Sequence, residues 1–467
     1  GLALETAVYI LNMVPSKSVE TTPYEMWKGR KPNFSQFRIW GSLAHVLVQE
    51  AGKLEKCSEA RVFVGYPKGM KDGLFYSPED SKVIVSTNAR FLEEDYIMNH
   101  KPAIMLKSIR ILLAVAAHMD YEVWQMDVKT VFVNENLQED IYMQQPEGFI
   151  AKGHEHLVCT LNRSIYGLKQ ALRSWNIRFD EVIQSYGFTQ CPDEHCVYKK
   201  NNASMVVFLM LYVDDILLIG NSKKELLDVK VWLSKQSDMK DLGEAGHILG
   251  IRVIRDRNKR MLCLFQSSYI GTVMARFSMQ DSKKDTLPFR KGIHLSKEIS
   301  PKTSQEIEDM KTVLYASAVG SLMYAMLCAR SDISYAVGLV ARYQSIPGRE
   351  HCSAVKHILK YLRKTKEYML VYRENNLLPL GYSDSDFQSD RDESKSTSSY
   401  VFTLGGGAIS WRSAKQKCVA DSTMEAEYIA ASEAAKEAIW LRNFLVDLEV
   451  ITSLPRGITV YCDNSGA

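Results

Sequence analysis

Residues 205–220 read Met205-Val206-Val207-Phe208-Leu209-Met210-Leu211-Tyr212-Val213-Asp214-Asp215-Ile216-Leu217-Leu218-Ile219-Gly220, an apolar run broken once by two adjacent aspartates. Its wealth of Val, Ile, Leu and Phe favours strand, and the single interruption predicts a β-hairpin with both carboxylates at its turn. Carboxylates fixed side by side repel unless a cation lies between them, so a divalent metal is their natural partner. The other reading of the same residues is an acidic turn between two core strands.

Four motifs, taken together and in order, carry a resemblance. Tyr212-Val213-Asp214-Asp215 is similar to the polymerase signature of reverse transcriptases, and Gln125-Met126-Asp127-Val128-Lys129-Thr130 resembles the earlier aspartate motif of the Copia-type LTR retrotransposon family. Tyr166-Gly167-Leu168-Lys169-Gln170 resembles that family's template-gripping and nucleotide-gripping loop. Ile141-Tyr142-Met143 with Gln145-Pro146-Glu147-Gly148-Phe149 resembles the segment after the first aspartate. Nucleotidyl transfer uses two divalent ions on hard oxygen ligands. The resemblance implies that Asp127 and Asp214 bridge both ions, that Asp215 supports the site, and that Phe132 packs on the nucleotide sugar. It also implies that Tyr166, Gly167, Lys169 and Tyr212 contact nucleotide or template. The ions implied are Mg²⁺, with Mn²⁺ as the substitute, two per site.

The 467 residues have room for three or four domains. With 58 basic and 55 acidic residues the net charge is only +3, so a nucleic-acid groove must be a local feature. Lys169, Arg173, Arg178, Lys356, Lys360, Arg363, Lys364 and Lys366 are groove candidates, or else solvated helix faces. Nine cysteines without a paired CxxC arrangement support neither a disulfide framework nor a zinc knuckle, and imply a reducing compartment. The apolar runs are too short to span a bilayer or are interrupted by charge, so no membrane partner is expected. The chain opens inside a helical stretch, Leu2 to Met13, and stops just after Asp463-Asn464, which reads as a piece of something longer.

The fold class expected is α+β multidomain: a reverse-transcriptase palm with its fingers largely missing, a tether, and a truncated ribonuclease H-like α/β domain, preceded by an integrase remnant and a small β module. By resemblance, 1–55 is the C-terminal remnant of an integrase core, 56–97 an SH3-like β module, 103–280 the palm and adjoining region, 281–375 the tether and 376–467 the ribonuclease H-like domain. His100-Lys101-Pro102 leads almost directly into Leu106–Leu113, a helix resembling the one before the first polymerase aspartate, where the family places a linker and the fingers.

In the last stretch, Gly381-Tyr382-Ser383-Asp384, a helix from Ser422 to Leu445 and Ile458-Thr459-Val460-Tyr461-Cys462-Asp463 resemble a ribonuclease H fold. A carboxylate cluster holding two metals suits hydrolysis of RNA in a hybrid. Asp384, Glu427 and Asp463 are the candidates. Glu425 is a rival to Glu427, because residues two apart on a helix point in different directions; the spacing Glu-Tyr-x-Ala selects Glu427 by resemblance.

Departures from the family pattern include Val131 for alanine, Glu135 for a turn glycine, Leu172 for proline, Asn176 for an aromatic, Phe387-Gln388-Ser389 for Trp-Ala-Gly and Ser399 for glycine. The extra methyls of Val131 imply an overpacking cost of roughly 1–3 kcal/mol. The leading expectation is an RNA-directed DNA polymerase with ribonuclease H activity, impaired by the missing fingers and C-terminus. Its implied partners are RNA template, DNA primer, RNA–DNA hybrid, deoxynucleoside triphosphates and the other Pol domains, in cytoplasmic particles or the nucleus. The alternatives are a non-catalytic nucleic-acid-binding or interaction remnant of the same fold, and a decayed element with no selected role.

Overall fold

The computed structural model describes residues 25, 43–47, 58–65, 73–77, 82–86, 89–91, 106–129, 136–146, 148–150, 153, 157–163, 169–202, 204–290, 292–373, 376–451 and 456–463. The architecture is mixed α/β, with five sheets and nine α-helices among the described residues. Two compact units divide it, Gly1–Lys101 and Pro102–Ala467. In the first, β1 (Leu43–Leu47), β2 (Ser58–Gly65), β3 (Gly73–Ser77), β4 (Lys82–Ser86) and β5 (Ala89–Phe91) form one antiparallel sheet ordered β4-β3-β2-β1-β5. The sheet includes Leu43–Leu47, upstream of the 56–97 stretch expected to form a small β module.

The second unit opens with α1 (Leu106–Met119), ten of whose residues are buried. Next come β6 (Glu122–Val128) and a two-stranded ribbon of β7 (Asn136–Gln144) and β8 (Val158–Arg163). Then follow α2 (Lys169–Ser185), β9 (Thr189–Cys191), β10 (Glu194–Asn202), β11 (Met205–Tyr212), β12 (Asp215–Gly220), α3 (Lys223–Gln236) and β13 (Met239–Glu244). Six strands join as β13-β6-β12-β11-β10-β9. One face meets Trp175, Phe179 and Ile183 of α2 and Leu226, Val229 and Leu233 of α3, while the other meets α1. A strand covered on both faces has no wet side, so 205–220 runs apolar without alternation.

A second sheet, β14-β15-β16-β17, is built from β14 (His247–Ile248), β15 (Ile251–Asp256), β16 (Met261–Phe265) and, far later in the chain, β17 (Met369–Tyr372). Between β16 and β17 lie α4 (Ser267–Arg276), α5 (Ser304–Lys311), α6 (Tyr315–Cys328), α7 (Ser334–Ala341) and α8 (Arg349–Lys364). On α8, Val355, Ile358, Leu359 and Leu362 recur at helical spacing and enter a core with α4, α6 and α7. No single helix among the described residues is long and apolar enough to cross a membrane.

The last sheet, β20-β19-β18-β21, comprises β18 (Leu380–Asp390), β19 (Lys395–Leu404), β20 (Gly407–Lys415) and β21 (Thr459–Tyr461), the last parallel to β18. A parallel pair needs a long crossover, here containing α9 (Thr423–Leu448). Ala426, Ala430, Ala434 and Ala438 form a buried stripe at four-residue spacing, which lets the helix backbone approach β18 and β19 closely. The first and last thirds of this unit share one core, in which α1 and Phe208 join Phe402, Ile409 and Phe444. At the seam Arg110, 6% exposed, donates from Nε to Ile409 O at 2.7 Å and from Nη1 to Leu327 O at 2.6 Å and Cys328 O at 3.2 Å, with its guanidinium 3.9 Å from the Trp411 ring centroid. Lys107 pairs with Glu437 at 2.8 Å and lies over Trp440.

Candidate functional sites

Antiparallel register sets the first cluster. Tyr212 pairs with Asp215, so Val213 and Asp214 form a two-residue turn, and Asp215 lies directly opposite Asp127 on β6. Opposed residues share a sheet face at about 5 Å between Cβ atoms. Lys240 lies across from Asp127 on the other neighbour, β13. The turn is held from two sides: Val128 N donates to Asp214 O at 2.9 Å, and Trp175 Nε1 donates to Val213 O at 2.9 Å. Val213 has φ +59°, a left-handed conformation costly for a β-branched residue, so these bonds hold it against its preference. Gln125, 8% exposed, donates Nε2–H to Asp215 Oδ1 at 2.8 Å. Burial raises the Asp215 carboxyl above the usual range against this bond, with Asp214 and Asp127 adding to the rise. Burial likewise raises the Tyr212 phenol.

Of the other residues expected here, Phe132, Tyr166 and Gly167 lie outside the described residues. Lys169 is the first residue of α2. Through Trp175 that helix reaches the aspartate turn.

The second cluster joins β18, α9 and β21. Glu427 is 7% exposed, and its Oε1 accepts from Ser385 N at 3.1 Å and Ser385 Oγ at 2.9 Å. Cys462 Sγ lies 3.6 Å from Glu427 Oε2. One ligand atom each from Glu427, Cys462 and Asp463 lies within 4.8 Å of the others. Asp384 is exposed. Burial raises its carboxyl most, followed by the charges of Glu427 and Asp463. Glu425 does different work: its Oε2 accepts from Asp421 N at 2.8 Å, and its own N–H donates to Ser422 Oγ at 3.1 Å, capping α9. Asp386 accepts from the Tyr335 hydroxyl at 2.6 Å.

Among the described residues only Glu427, Cys462 and Asp463 bring ligand atoms this close together, whereas the carboxylates of Asp127, Asp214 and Asp215 share one end of the sheet without converging to that distance. Carboxylate oxygens suit Mg²⁺ or Mn²⁺ at either place, and the Cys462 thiol adds a soft donor to the second. A carboxyl whose folded value lies above its unfolded value destabilises the fold where it is ionised, and this penalty fades as pH falls through the folded value. In metal-free buffer at neutral pH, Asp384→Asn is therefore expected to raise the melting midpoint slightly, and the difference to shrink as the pH is lowered. Scanning fluorimetry measures this; a lower midpoint in the variant would count against the carboxylate strain.

Sequence patterns did not single out Gln125, Lys240, Ser385 or Cys462. Gln125 stands two residues before Asp127 on the same strand face, and Cys462 is adjacent to Asp463, but the groups they meet are 42 or fewer residues away only for Ser385 and Cys462, and 90 for Gln125.

The reverse transcriptase (RNA-dependent DNA polymerase) family model matches residues 68–291. The chain is 47% identical to the retrovirus-related Pol polyprotein from transposon TNT 1-94 of Nicotiana tabacum, over 78% of this chain and 27% of that protein. It is 36% identical to the corresponding polyprotein from transposon RE1 of Arabidopsis thaliana, over 80% of this chain and 25% of that one. A transposon Ty5-1 protein of Saccharomyces cerevisiae is matched over 100% of its length and 67% of this chain at 33% identity. These likenesses define a protein of the reverse-transcriptase class. The chain belongs to the family of copia-type retrotransposon Pol polyproteins, and it spans only about a quarter of the length of the first two relatives.

Proposed function

We propose that this chain carries two nucleic-acid sites of a copia-type Pol polyprotein: RNA-directed DNA polymerisation at Asp127, Asp214 and Asp215, and hydrolysis of the RNA strand of a hybrid at Asp384, Glu427 and Asp463. The observation that carries the reading is the strand register that sets Asp215 opposite Asp127 with Asp214 in the adjoining turn. Bound Mg²⁺ or Mn²⁺, two ions per site, would activate the attacking oxygen and neutralise charge on the phosphate. The chain's own residues prepare for that. Gln125 fixes the rotamer of Asp215, Trp175 and Val128 fix the turn, and Ser385 fixes Glu427. On this reading 103–280 is the palm and adjoining region, 281–375 the tether and 376–467 the ribonuclease H-like domain. RNA template, DNA primer, deoxynucleoside triphosphates and the other Pol domains are the partners.

Polymerisation by this chain is impaired on the same reading. Only residues 98–105 separate the strand-rich first unit's last expected element from α1, leaving no room for fingers that position triphosphate and template. That short interval, with Val131, Glu135, Leu172 and Asn176, also favours a second reading: a nucleic-acid-binding remnant without turnover, whose binding falls as salt rises. The test is Mg²⁺-dependent or Mn²⁺-dependent extension of a DNA primer on an RNA template, beside an Asp214→Asn, Asp215→Asn control. The expected result is little or no extension by folded protein. Efficient extension that the control abolishes would overturn the impairment.

A further inference from the structure

Two tyrosines stand beside the second carboxylate cluster in matching positions. Tyr382 precedes Asp384 by two residues on β18, and Tyr461 precedes Asp463 by two residues at the end of β21. The parallel register pairs Tyr382 with Tyr461, and their rings stack with centroids 5.4 Å apart and planes 26° apart. Side chains two apart on a strand share a face, and along β18 Tyr382 and Asp384 are both exposed while Gly381 and Ser383 are buried. Despite stacking on each other, Tyr382 and Tyr461 remain 45% and 52% exposed. A large open aromatic surface therefore adjoins the carboxylates, about 6.6 Å along the strand from Asp384.

We propose that the Tyr382–Tyr461 pair is a stacking shelf for the RNA strand of an RNA–DNA hybrid. It packs against the sugar and base next to the phosphodiester that the carboxylates address. This rests on the hybrid-hydrolysis reading above and adds the subsite that holds the strand. The distance of two strand residues spans the reach from a phosphate to its own sugar and base. Aromatic faces serve any base because every base has a π-face, so the shelf gives affinity without sequence preference. Charge complementarity argues the same way: a carboxylate cluster repels phosphate until cations are bound, whereas tyrosine rings grip the sugar and base without that penalty.

The alternative role is to fasten the three-residue strand β21 to β18. Substitution to leucine separates the two, since leucine keeps an apolar cross-strand contact and loses the ring. Binding of a fluorescent RNA–DNA hybrid to the full chain would be followed by anisotropy in Ca²⁺, at fixed salt, beside the melting midpoint of each variant. Tyr382→Leu and Tyr461→Leu should each weaken binding about 10-fold with midpoints held, and Tyr→Phe at either position should bind within about twofold. Leucine variants that bind as the unsubstituted chain does, or whose lost affinity tracks a lowered midpoint, would overturn the shelf and leave hybrid hydrolysis standing. Failure of the unsubstituted chain to bind the hybrid would instead remove the hybrid reading, and the shelf with it.

Discussion

Arg110→Ala is expected to lower the free energy of unfolding by about 3–5 kcal/mol, measured by urea denaturation of the full chain. Arg110 is buried, and its guanidinium donates to the carbonyls of Ile409, Leu327 and Cys328 across separations of 217 to 299 residues. Alanine strands all three carbonyls away from water, opens a cavity and removes the stack on Trp411. The native arginine is itself unhappy there: burial pulls its pKa down to about 10, so it is still a desolvated cation at neutral pH. Arg110→Met, which fills the volume without a charge, should therefore lose less than alanine does. Arg110→Lys should not rescue fully, because a single ammonium cannot present the planar fork that serves three carbonyls. An alanine variant within 1 kcal/mol of the unsubstituted chain would show that the seam is not held here.

Gly407→Ala is the second large effect, at about 3 kcal/mol, the upper end of ordinary overpacking. A methyl at Gly407 would lie 2.5 Å from Tyr372 Cδ1 and 2.5 Å from Val371 O, closer than carbon packs. Tyr372 has no escape, being fully buried with its hydroxyl donating to Ala408 O at 3.0 Å. The glycine is required for close approach of β17 to β20, whereas Gly405 and Gly406 before it are required for positive φ, +58° and +80°. Chemical denaturation of Gly407→Ala in the native and Tyr372→Leu backgrounds checks the mechanism. The alanine should be less harmful once the ring is gone, the clash with Val371 O persisting in both backgrounds, and equal losses would assign the whole effect to that backbone contact.

The local elements were legible because they are written locally. The 205–220 run gave its own hairpin, with Asp214 in the turn and Asp215 opening β12. Ser422, the residue from which the expected helix starts, is the N-cap of α9, and the stretch Ile458–Asp463 contains β21 at Thr459–Tyr461. What sequence could not show is which element meets which. Leu106–Leu113 is legible as a helix, but nothing in 106–119 names Ile409 as the acceptor for Arg110, or Glu437 as the partner of Lys107. The Tyr382–Tyr461 stack depends on a parallel pairing across an entire helix, and the Glu427–Cys462 contact depends on the same pairing. Glu425 and Glu427 are equal as letters; a cap at Ser422 takes the first, and Ser385 on β18 takes the second.

The core shared by α1 and α9 also imposes a timetable. Lys107 and Glu437 are 330 residues apart, and at about 5–20 residues per second their synthesis is separated by roughly 17–66 s. Through much of that interval α1 can already meet the sheet strands up to Gly220, but the part of its surface that meets β20 and α9 has no partner yet. A nascent chain in this condition is a client for holding chaperones before it is anything else, and its yield in a cell is set as much by how long that wait is covered as by the stability it reaches afterwards.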